Sequence, residues 1–389
     1  MHFLLWAAGL VLAIAWFSRI AQAAMGIPKV ADIARSEWDR PNSPDAPRVS
    51  IIVPARNEQE MLEPSLTRLL AINYPNYEII VVNDRSTDAT GDILDRIAAS
   101  PAAQGRLHAI HVPELPSGWL GKTHAMWTAA RQATGDWLLF TDADVLFKRG
   151  VLRRAIAYAE AEKADHVVLF PRLLMHTPGE HMMIAFFQTL FTFGHRPWKV
   201  ADPKTKDHMG VGAFNLVRRC VYESIGTYRA LRMEVLDDMK LGKVIKNAGF
   251  AQRNVFGDDL ISIRWARGAM GIVDNLTKNF FAILSFQWWR TLLSTAVLLF
   301  LNLGPFVGIW LTHGAARIPY LIALASMFCI YLGMSVKSAI PAYYFLLHPI
   351  STLLFGYTLM RSMLHTLWND GVTWRGTKYP LDELRKGLV

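Results

Sequence analysis

The chain has 389 residues, 52% of them hydrophobic, and a formal net charge of +9. This length exceeds what one typical domain needs, and the mixture of apolar and charged residues is typical of a soluble domain joined to membrane segments. The charge suits an anionic membrane surface or a phosphorylated substrate, but no long block of like charges appears, which argues against nucleic acid as a partner. Two distant cysteines, Cys220 and Cys329, form no metal-type spacing.

The chain begins with an apolar segment at residues 3–17 that continues past Arg19 to residue 25. About 20 such residues cross a bilayer. A signal peptide is the rival interpretation, because Ala21-Gln22-Ala23 resembles a cleavage site. No Lys or Arg precedes the run, whereas positive charges follow it at Arg19, Lys29 and Arg35. This bias favours an uncleaved transmembrane anchor at residues 1–25, with the next domain in the cytoplasm.

After a Pro-rich linker, placed at residues 26–48, the pattern predicts alternating strands and helices. The predicted strands are residues 49–53, 78–82, 107–112, 137–140 and 166–170. The predicted helices between them are residues 59–71, 88–99, 123–133 and 151–162. This order indicates an α/β fold with a mostly parallel sheet covered by helices on both faces. Ligands bind such sheets at the carboxyl ends of the strands.

The chain becomes apolar again after the predicted α/β domain, residues 49–270. An interfacial amphipathic helix is predicted at residues 271–290, with its aromatic part at 280–289, and transmembrane helices at 291–362. Three spans are candidates, at residues 292–310, 318–336 and 340–360. Together with the anchor they would put the basic tail, residues 363–389, outside, although its Lys and Arg residues favour the cytoplasm. A half-span or hairpin among them would remove the conflict, and the question stays open.

Acidic residues follow three of the predicted strands. They lie in Pro54-Ala55-Arg56-Asn57-Glu58, in Asn83-Asp84-Arg85-Ser86-Thr87-Asp88 and in Thr141-Asp142-Ala143-Asp144. Carboxylates gathered at one sheet edge repel one another unless a cation or a ligand balances them. Divalent cations prefer oxygen ligands and bridge to diphosphates. The pattern therefore predicts a site for a metal ion and a nucleotide diphosphate, with Asp84, Asp142 and Asp144 converging on one ion.

The three blocks VSIIVPARNE, EIIVVNDRSTDAT and GDWLLFTDADV resemble, in order and spacing, the signature of family 2 glycosyltransferases. The likeness covers about residues 49–265. It implies a GT-A fold, a nucleotide-sugar donor such as a UDP-sugar, Mg²⁺ or Mn²⁺, and inversion at the anomeric carbon. The implied donor-binding residues are Pro54, Arg56 and Glu58 around the base and ribose, Asp84 on the base, and Asp142 on the ribose and metal. Asp144, with Asp142, is the implied metal ligand.

Residues 116–123, PSGWLGKT, look at first like a phosphate-binding P-loop. Pro116 stands where that motif needs its first glycine, so nucleotide triphosphate hydrolysis is disfavoured. The segment instead resembles the GWxGK element of bacterial lipid-modifying family members, such as hopanoid- and carotenoid-associated enzymes. Lys122 would then steer the donor phosphates, although a solvated lysine at a helix start is the plain alternative.

The general base is expected further along the chain. Leu236-Asp237-Asp238 precedes an amphipathic run and resembles the acidic pair of the family, with Asp238 as base and Asp237 on the acceptor side. A helix cap is the alternative for Asp238. Residues 210–215, GVGAFN, look like the acceptor-side strand of the family and place Gly212 near the acceptor.

Residues 261–265, ISIRW, resemble the QxxRW motif of processive synthases and ceramide glucosyltransferases. Arg264 would pair with the leaving diphosphate and Trp265 would contact the acceptor. Ile261 departs from the motif, which favours a single transfer over processive polymer synthesis. The apolar residues 182–193 are compatible with a core helix or with an acceptor-side segment that enters the membrane.

The leading hypothesis is an enzyme that transfers one sugar from a nucleotide-diphosphate sugar to a membrane lipid. It would sit in the bacterial inner membrane with its catalytic domain on the cytoplasmic side. A processive polysaccharide synthase and a non-catalytic nucleotide-sugar-binding membrane protein remain the alternatives. A dehydrogenase is disfavoured because no GxGxxG follows an early strand.

Overall fold

The computed structural model describes residues 2–41, 45–103, 105–338 and 340–389. Residue 1 of the predicted anchor and residues 42–44 of the predicted linker lie outside this set. The chain forms two compact units. The helical unit comprises residues 1–29, 175–198 and 265–374, and the sheet unit comprises residues 30–174, 199–264 and 375–389.

The strands, in chain order, are β1 (Val49–Ala55), β2 (Tyr77–Asp84), β3 (Leu107–Val112), β4 (Trp137–Phe140), β5 (Leu146–Phe147), β6 (His166–Leu169), β7 (Arg172–Leu173), β8 (Asn215–Arg218), β9 (Gln252–Val255), β10 (Ile261–Ile263), β11 (Gly371–Trp374) and β12 (Thr377–Pro380). The helices are α1 (His2–Gly26), α2 (Leu62–Leu70), α3 (Thr90–Ala98), α4 (Gly121–Gln132), α5 (Val151–Ala161), α6 (Pro178–Gly194), α7 (Arg219–Ser224), α8 (Thr227–Ala230), α9 (Asp237–Asn247), α10 (Gly268–Ile283), α11 (Trp288–Leu311), α12 (Ile318–Lys337), α13 (His348–Trp368) and α14 (Leu381–Lys386). Short 3₁₀ turns lie at Ile27–Lys29, Ser36–Trp38, Pro197–Lys199, Gly314–Arg317 and Ala342–Leu347.

The main sheet of the sheet unit has the strand order β3-β2-β1-β4-β8-β6-β9. β1 is parallel to both β2 and β4, and β2 is parallel to β3. β8 runs antiparallel to β4 and β6 and is the exception to the predicted parallel arrangement. A smaller sheet has the order β5-β10-β7. The predicted α/β class with a mostly parallel sheet is confirmed.

Side chains that alternate along β1 and β2 enter two separate cores, because successive residues of a strand face opposite ways. On one face, Ile51 and Val53 pack with α2, α3 and α5. On the other face, Ile52 and Ile80 pack with α4 and α9. Burial on both faces explains why these strands are nearly continuous apolar runs.

The strands predicted at residues 107–112 and 137–140 agree with β3 and β4 at both ends, and the other predicted strands and helices differ by a few residues. The predicted strand at residues 210–215 is wrong, because β8 begins only at Asn215. Gly210 lies so close to α9 that an added Cβ would stand 1.8 Å from the carbonyl oxygen of Asp238. That contact keeps the segment in a loop.

Part of the predicted linker packs onto the sheet unit. Ile33 is fully buried, Asp32 pairs with Phe256 in an isolated bridge, and Trp38 contacts the ring of Tyr158 edge-on at 5.0 Å. Arg154 donates hydrogen bonds of 2.8–3.0 Å to the carbonyls of three consecutive residues that begin at Ile33. These contacts fix the described part of the segment in place.

The helical unit contains α1, α6 and α10 to α13. Among the described residues, three helical segments are long and apolar enough to cross a membrane, namely His2–Lys29, Trp288–Leu311 and Gly314–Lys337. The aromatic segment at 280–289 is not one helix, because Ser285 and Phe286, both with positive φ, separate α10 from α11. The third late span predicted at 340–360 is displaced, since α13 starts at His348 after a 3₁₀ turn. The apolar residues 182–193 form α6, which packs within this unit.

Candidate active site

Loops that leave the carboxyl ends of β1 and β2 form the first wall of the site. The register places Ala55 beside Asn83, so the two loops start side by side. Asn57 and Arg85 both have positive φ, 53° and 54°. This conformation costs a non-glycine residue about 1 kcal/mol or more, least for Asn, and such strain is concentrated at functional sites. The amide N–H of Thr87 donates to Oδ1 of Asn57 at 2.8 Å and links the two loops.

Asp84 is a buried carboxylate held by two arginines. Arg85 donates to both of its oxygens, at 2.7 and 3.0 Å, and Nη1 of Arg56 lies 3.8 Å from Oδ2. Arg56 and Asp84 were predicted as donor-binding residues, whereas no role was predicted for Arg85. Its only signal in the sequence is its position directly after Asp84 at a strand end.

Helix α4 begins against this carboxylate. A Cβ added to Gly121 would lie 2.3 Å from Oδ2 of Asp84 and 2.7 Å from Nη2 of Arg85. Only glycine permits this approach without a shift of the backbone or of the buried ion pair. The glycine of the GWxGK element therefore has a structural reason to stand directly before Lys122.

Lys122 joins carboxylates from two parts of the chain. Its ammonium nitrogen lies 2.8 Å from Asp142, after β4, and 3.5 Å from Asp237, at the start of α9. Burial alone would lower the pKa of Lys122, but the charges of Asp142, Asp237 and Asp238 outweigh burial and raise it above its ordinary value. The lysine is thus an ion-paired positive charge rather than a solvated one, which argues against the plain alternative.

Asp238 is oriented by two backbone donors. Its Oδ2 accepts from the N–H of Gly212 and its Oδ1 from the N–H of Met239, each at 2.7 Å. Burial, opposed by the charge of Lys122, raises the pKa of Asp238. A carboxylate has about four lone-pair positions, so two remain for a further donor. Asp237 beside it is buried, and burial raises its pKa to about 7 against the opposing charge of Lys122.

Gly212 lies between the two carboxylate groups. A Cβ at this position would stand 2.5 Å from Oδ2 of Asp142 and 3.4 Å from the ammonium nitrogen of Lys122. The Gly212 carbonyl accepts a 3.0 Å hydrogen bond from the backbone N–H of Asp142. The loop therefore connects Asp142 to Asp238 through its backbone.

Asp142 and Asp144, separated by one residue and here called the DxD pair, follow β4. Burial, together with the charges of Asp142 and Glu58, raises the pKa of Asp144 to about 7. Within the described residues, no group of three or more His, Cys, Asp or Glu side chains is arranged to hold an ion. The predicted three-carboxylate centre is therefore not formed, because Asp84 is bound to Arg85 instead. Asp142 and Asp144 keep the hard oxygen donors that suit Mg²⁺ or Mn²⁺, and diphosphate and water oxygens are the usual further ligands of such ions.

The remaining predicted site residues lie in three different parts of the chain. Pro54 lies within β1, opposite Val82 of β2. Arg264 follows β10, which runs antiparallel to β5 with Ser262 opposite Leu146, so it leaves the small sheet beside the segment that carries the DxD pair. Trp265 belongs to the helical unit, where its ring contacts Phe187 at 4.7 Å.

A buried polar network supports the loop that holds Asp238. His166 lies between Asn215, at 3.1 Å, and Gln252, at 2.7 Å. The side chain of Gln252 accepts from the N–H of Met209 at 2.8 Å and donates to the carbonyl of Gly242 at 3.0 Å. Burial lowers the pKa of His166 to about 4, so the ring is neutral and can donate on one side and accept on the other.

Residues from the end of the chain also reach this site, which no motif indicated. The hydroxyl of Thr377 accepts a 3.1 Å hydrogen bond from Arg56, and Arg375 pairs with Glu58. The hydroxyl of Tyr379 accepts from the N–H of Gly121 at 3.1 Å. The sequence separation from their partners exceeds 250 residues in every case.

The chain is similar in sequence to known glycosyltransferases. Residues 50–226 match the family model described as Glycosyl transferase family 2. A 4,4'-diaponeurosporenoate glycosyltransferase of Staphylococcus haemolyticus is 23% identical over 59% of this chain and 60% of its own length. An enzyme of the same name from Staphylococcus aureus is 19% identical over 86% of this chain and 89% of that one.

A solved structure of the mannosyltransferase PcManGT from Pyrobaculum calidifontis, in complex with GDP-Man and Mn²⁺, has a similar fold. The TM-score is 0.50 at 19% sequence identity, and the alignment covers 94% of this chain and 99% of that one. The predicted GT-A fold is thereby confirmed. Taken together, these matches show that residues 50–226 form a domain similar to glycosyl transferase family 2, and they support glycosyltransferase activity.

Proposed function

We propose that the protein transfers a single sugar from a nucleotide-diphosphate sugar to the hydroxyl group of a membrane lipid, with inversion at the anomeric carbon. The observation that carries this proposal is the ion-paired cluster around Lys122. It joins Asp142, on the donor side, to Asp237 and Asp238, the acidic pair that opens α9. Donor and acceptor groups thus meet within one hydrogen-bonded assembly.

On the donor side, Asp142 and Asp144 are the residues that would hold a divalent cation, Mg²⁺ or Mn²⁺. Such an ion, when bound, neutralises charge that develops on the leaving diphosphate. Arg56 and Asp84 bind the nucleoside part, and Arg85 fixes the carboxylate of Asp84 through two hydrogen bonds. A UDP-sugar is the proposed donor class.

On the acceptor side, Asp238 acts as the general base. The lipid hydroxyl oxygen attacks the anomeric carbon, its proton passes to Asp238, and the bond to the nucleoside diphosphate breaks. The backbone N–H groups of Gly212 and Met239 hold the carboxylate in one orientation during this step. Burial raises the pKa of Asp238, which makes it a better proton acceptor than an exposed aspartate. A single displacement with one base inverts the configuration.

A lipid acceptor is supported by the helices that accompany the domain. The three candidate membrane segments keep the chain at a bilayer, where a lipid with a hydroxyl head group is available. The relatives named above are carotenoid-associated by name, and from them we infer an isoprenoid-like acceptor for this chain.

The proposed topology places the sheet unit in the cytoplasm of a bacterial cell, at the inner membrane. Residues 375–389 belong to the same compact unit as residues 199–264. An even number of crossings must therefore separate them, which α11 and α12 supply when α13 does not cross. An outside N-terminus with α1 as anchor then agrees with the positive charges that follow α1 and with those of the tail. This arrangement removes the conflict that four spans would create.

A processive polysaccharide synthase is the second candidate. Ile261 departs from the QxxRW motif, and a polymer-conducting pore needs more spans than the three candidates found among the described residues. A non-catalytic binding protein would have no use for a carboxylate oriented by two backbone donors, as Asp238 is.

The test uses the purified full chain in lipid nanodiscs with UDP- and GDP-sugars, Mn²⁺ and a bacterial lipid extract. We expect release of nucleoside diphosphate together with a lipid whose mass increases by one sugar. Chelation of divalent ions should stop both, and added Mn²⁺ or Mg²⁺ should restore them. A ladder of products would favour the processive synthase, and donor binding without any product would contradict the enzymatic proposal.

A further inference from the structure

The last fifteen residues, 375–389, form a tail segment that lies within the sheet unit. Its strand β12 presents alternate residues to the active site, because side chains two apart on a strand share a face. Thr377 accepts from Arg56 at 3.1 Å, and Tyr379 accepts from the N–H of Gly121, the residue that lies against Arg85, at 3.1 Å. The tail therefore contacts Arg56 directly and approaches Arg85 through Gly121.

Lys378, between these two residues, is exposed and faces away. Thr377 and Tyr379 share the face of β12 that contacts the site, and Lys378 lies on the opposite face. This placement makes Lys378 a matched control for any charge effect of the tail.

The tail also places an additional arginine, Arg375, at the loop that follows β1. Arg375 donates to the carboxylate of Glu58 and to the carbonyl oxygen of Arg56. Almost half of the Arg375 side chain is exposed, so the guanidinium has donors available for a ligand.

The backbone at Arg375 is unusual for an arginine. Arg375 and Gly376 both have positive φ, 48° and 78°, as in the two-residue turn of type I′. Asn, Asp and Gly are the residues that favour the first position of such a turn, and arginine is strained there. A strained residue whose guanidinium pairs with Glu58, in the loop that follows β1, indicates a functional role for that side chain.

The far end of the tail is anchored to the parts of the sheet unit that carry the base. Leu381 and Leu384 of α14 are buried, and Gly387 packs against Met233. Lys243 of α9 donates to the backbone oxygen of Val389 at 2.9 Å. Since α9 begins with Asp237 and Asp238, the tail is held both beside the donor loops and on the helix of the base.

We propose that the tail segment is part of the donor-binding site, with Arg375 binding the diphosphate of the nucleotide sugar and Thr377 and Tyr379 positioning Arg56 and Arg85. An arginine fork matches phosphate oxygens and forms strong charge-assisted hydrogen bonds with them. Glu58 holds the guanidinium at the loop that follows β1. This inference rests on the proposed function, because it takes a nucleotide-diphosphate sugar as the ligand.

The test measures binding of UDP, GDP and dTDP to the full chain in the presence of Mn²⁺, by calorimetry without an acceptor. Arg375→Ala and Arg375→Asn should each lower the affinity for the best-binding diphosphate about tenfold or more. The affinity for the corresponding nucleoside, which lacks phosphates, should fall less than twofold. Lys378→Ala should leave both affinities unchanged.

Arg375→Asn separates function from folding. Asparagine suits the turn better than arginine, so this variant should unfold at the same temperature as the wild type or higher, while its affinity for the diphosphate falls. A variant with unchanged diphosphate affinity would overturn the inference, as would equal losses for diphosphate and nucleoside or an equal loss in Lys378→Ala.

The same measurements distinguish this inference from the proposed function. Tight diphosphate binding by the wild type that depends on Arg375, without any sugar transfer, would leave the tail inference standing and contradict the enzymatic proposal. Sugar transfer with a donor KM that does not respond to Arg375→Asn would support the enzyme and overturn the role of the tail. A wild-type chain that binds none of the three diphosphates contradicts the inference.

Discussion

The sheet unit and the helical unit bury polar groups in different ways. In the sheet unit, ionised side chains gather at one edge of the sheet, where Lys122 pairs with Asp142 and Asp237 and two arginines surround Asp84. In the helical unit, most buried polar side chains are neutral. Glu180 is an exception, and its two oxygens accept the backbone N–H groups of His176 and Gly268.

The neutral polar groups of the helical unit form hydrogen bonds within one helix or with another polar side chain of the unit. Hydroxyls such as those of Thr312 and Thr352 donate to the carbonyl four residues earlier in the same helix. His348 lies between Tyr331, at 2.9 Å, and Asn302, at 3.1 Å. A bilayer offers no water to unsatisfied groups, so such pairing is what a membrane-embedded unit requires. The difference teaches that buried charge is concentrated at the proposed substrate and metal site, whereas the buried polar groups of the helical unit are mostly neutral.

The largest expected effect comes from removing the cation of the charged cluster. Lys122→Ala leaves Asp142, Asp237 and Asp238 without their shared partner, and uncompensated carboxylates in a partly buried site are costly. We expect kcat/KM to fall about 100-fold or more, which corresponds to about 3 kcal/mol. Lys148→Ala is the control, because Lys148 pairs with one exposed carboxylate, Asp259, outside the site. Similar losses in both variants would show that the cluster has no special role.

Much of the sheet unit could be predicted, for a physical reason. Strands such as β1 and β2 are buried on both faces, so they appear in the sequence as apolar runs that end in polar loops. Asp84, Asp142 and Asp144 were located by this rule alone. Asp238 needed the family resemblance, because an acidic residue at the start of a helix is also an ordinary helix cap.

The errors have a common origin in long-range contacts. The loop at Gly210 avoids a strand conformation because it packs against the backbone of Asp238, and Asp84 turns to Arg85 instead of joining Asp144. The tail contacts of Thr377 and Tyr379 join residues more than 250 positions apart. No local pattern of hydrophobicity or turn residues encodes such contacts.

A medium effect is expected from protonation of the buried histidine. The folded state lowers the pKa of His166 to about 4, from an ordinary value of about 6.5. Between these two pH values the unfolded chain binds more protons than the folded one, so stability is lost as pH falls through this window. The free energy of unfolding falls by about 3 kcal/mol at most through this window. In thermal unfolding curves, the melting temperature of His166→Gln should fall less between pH 7 and pH 4.5 than that of the wild type. His313→Gln, which changes an exposed histidine, should behave as the wild type does.

The smallest effect is expected in the helical unit. Asn302→Leu removes one hydrogen-bond partner of His348 inside the helices, and such polar pairs in membrane proteins contribute about 1 kcal/mol. The melting temperature in detergent should fall by a few degrees while kcat of the correctly folded fraction is retained. Loss of turnover at unchanged stability would mean that the helical unit takes part in catalysis, against the comparison made above.

The central claim is that Asp238 removes the acceptor proton, and its direct test is the turnover of Asp238→Asn in nanodiscs with saturating donor and acceptor lipid. The amide keeps the size of the side chain but cannot take up a proton, so kcat should fall about 100-fold or more while affinity for the nucleoside diphosphate stays near that of the wild type. Turnover within about threefold of the wild type would contradict the account.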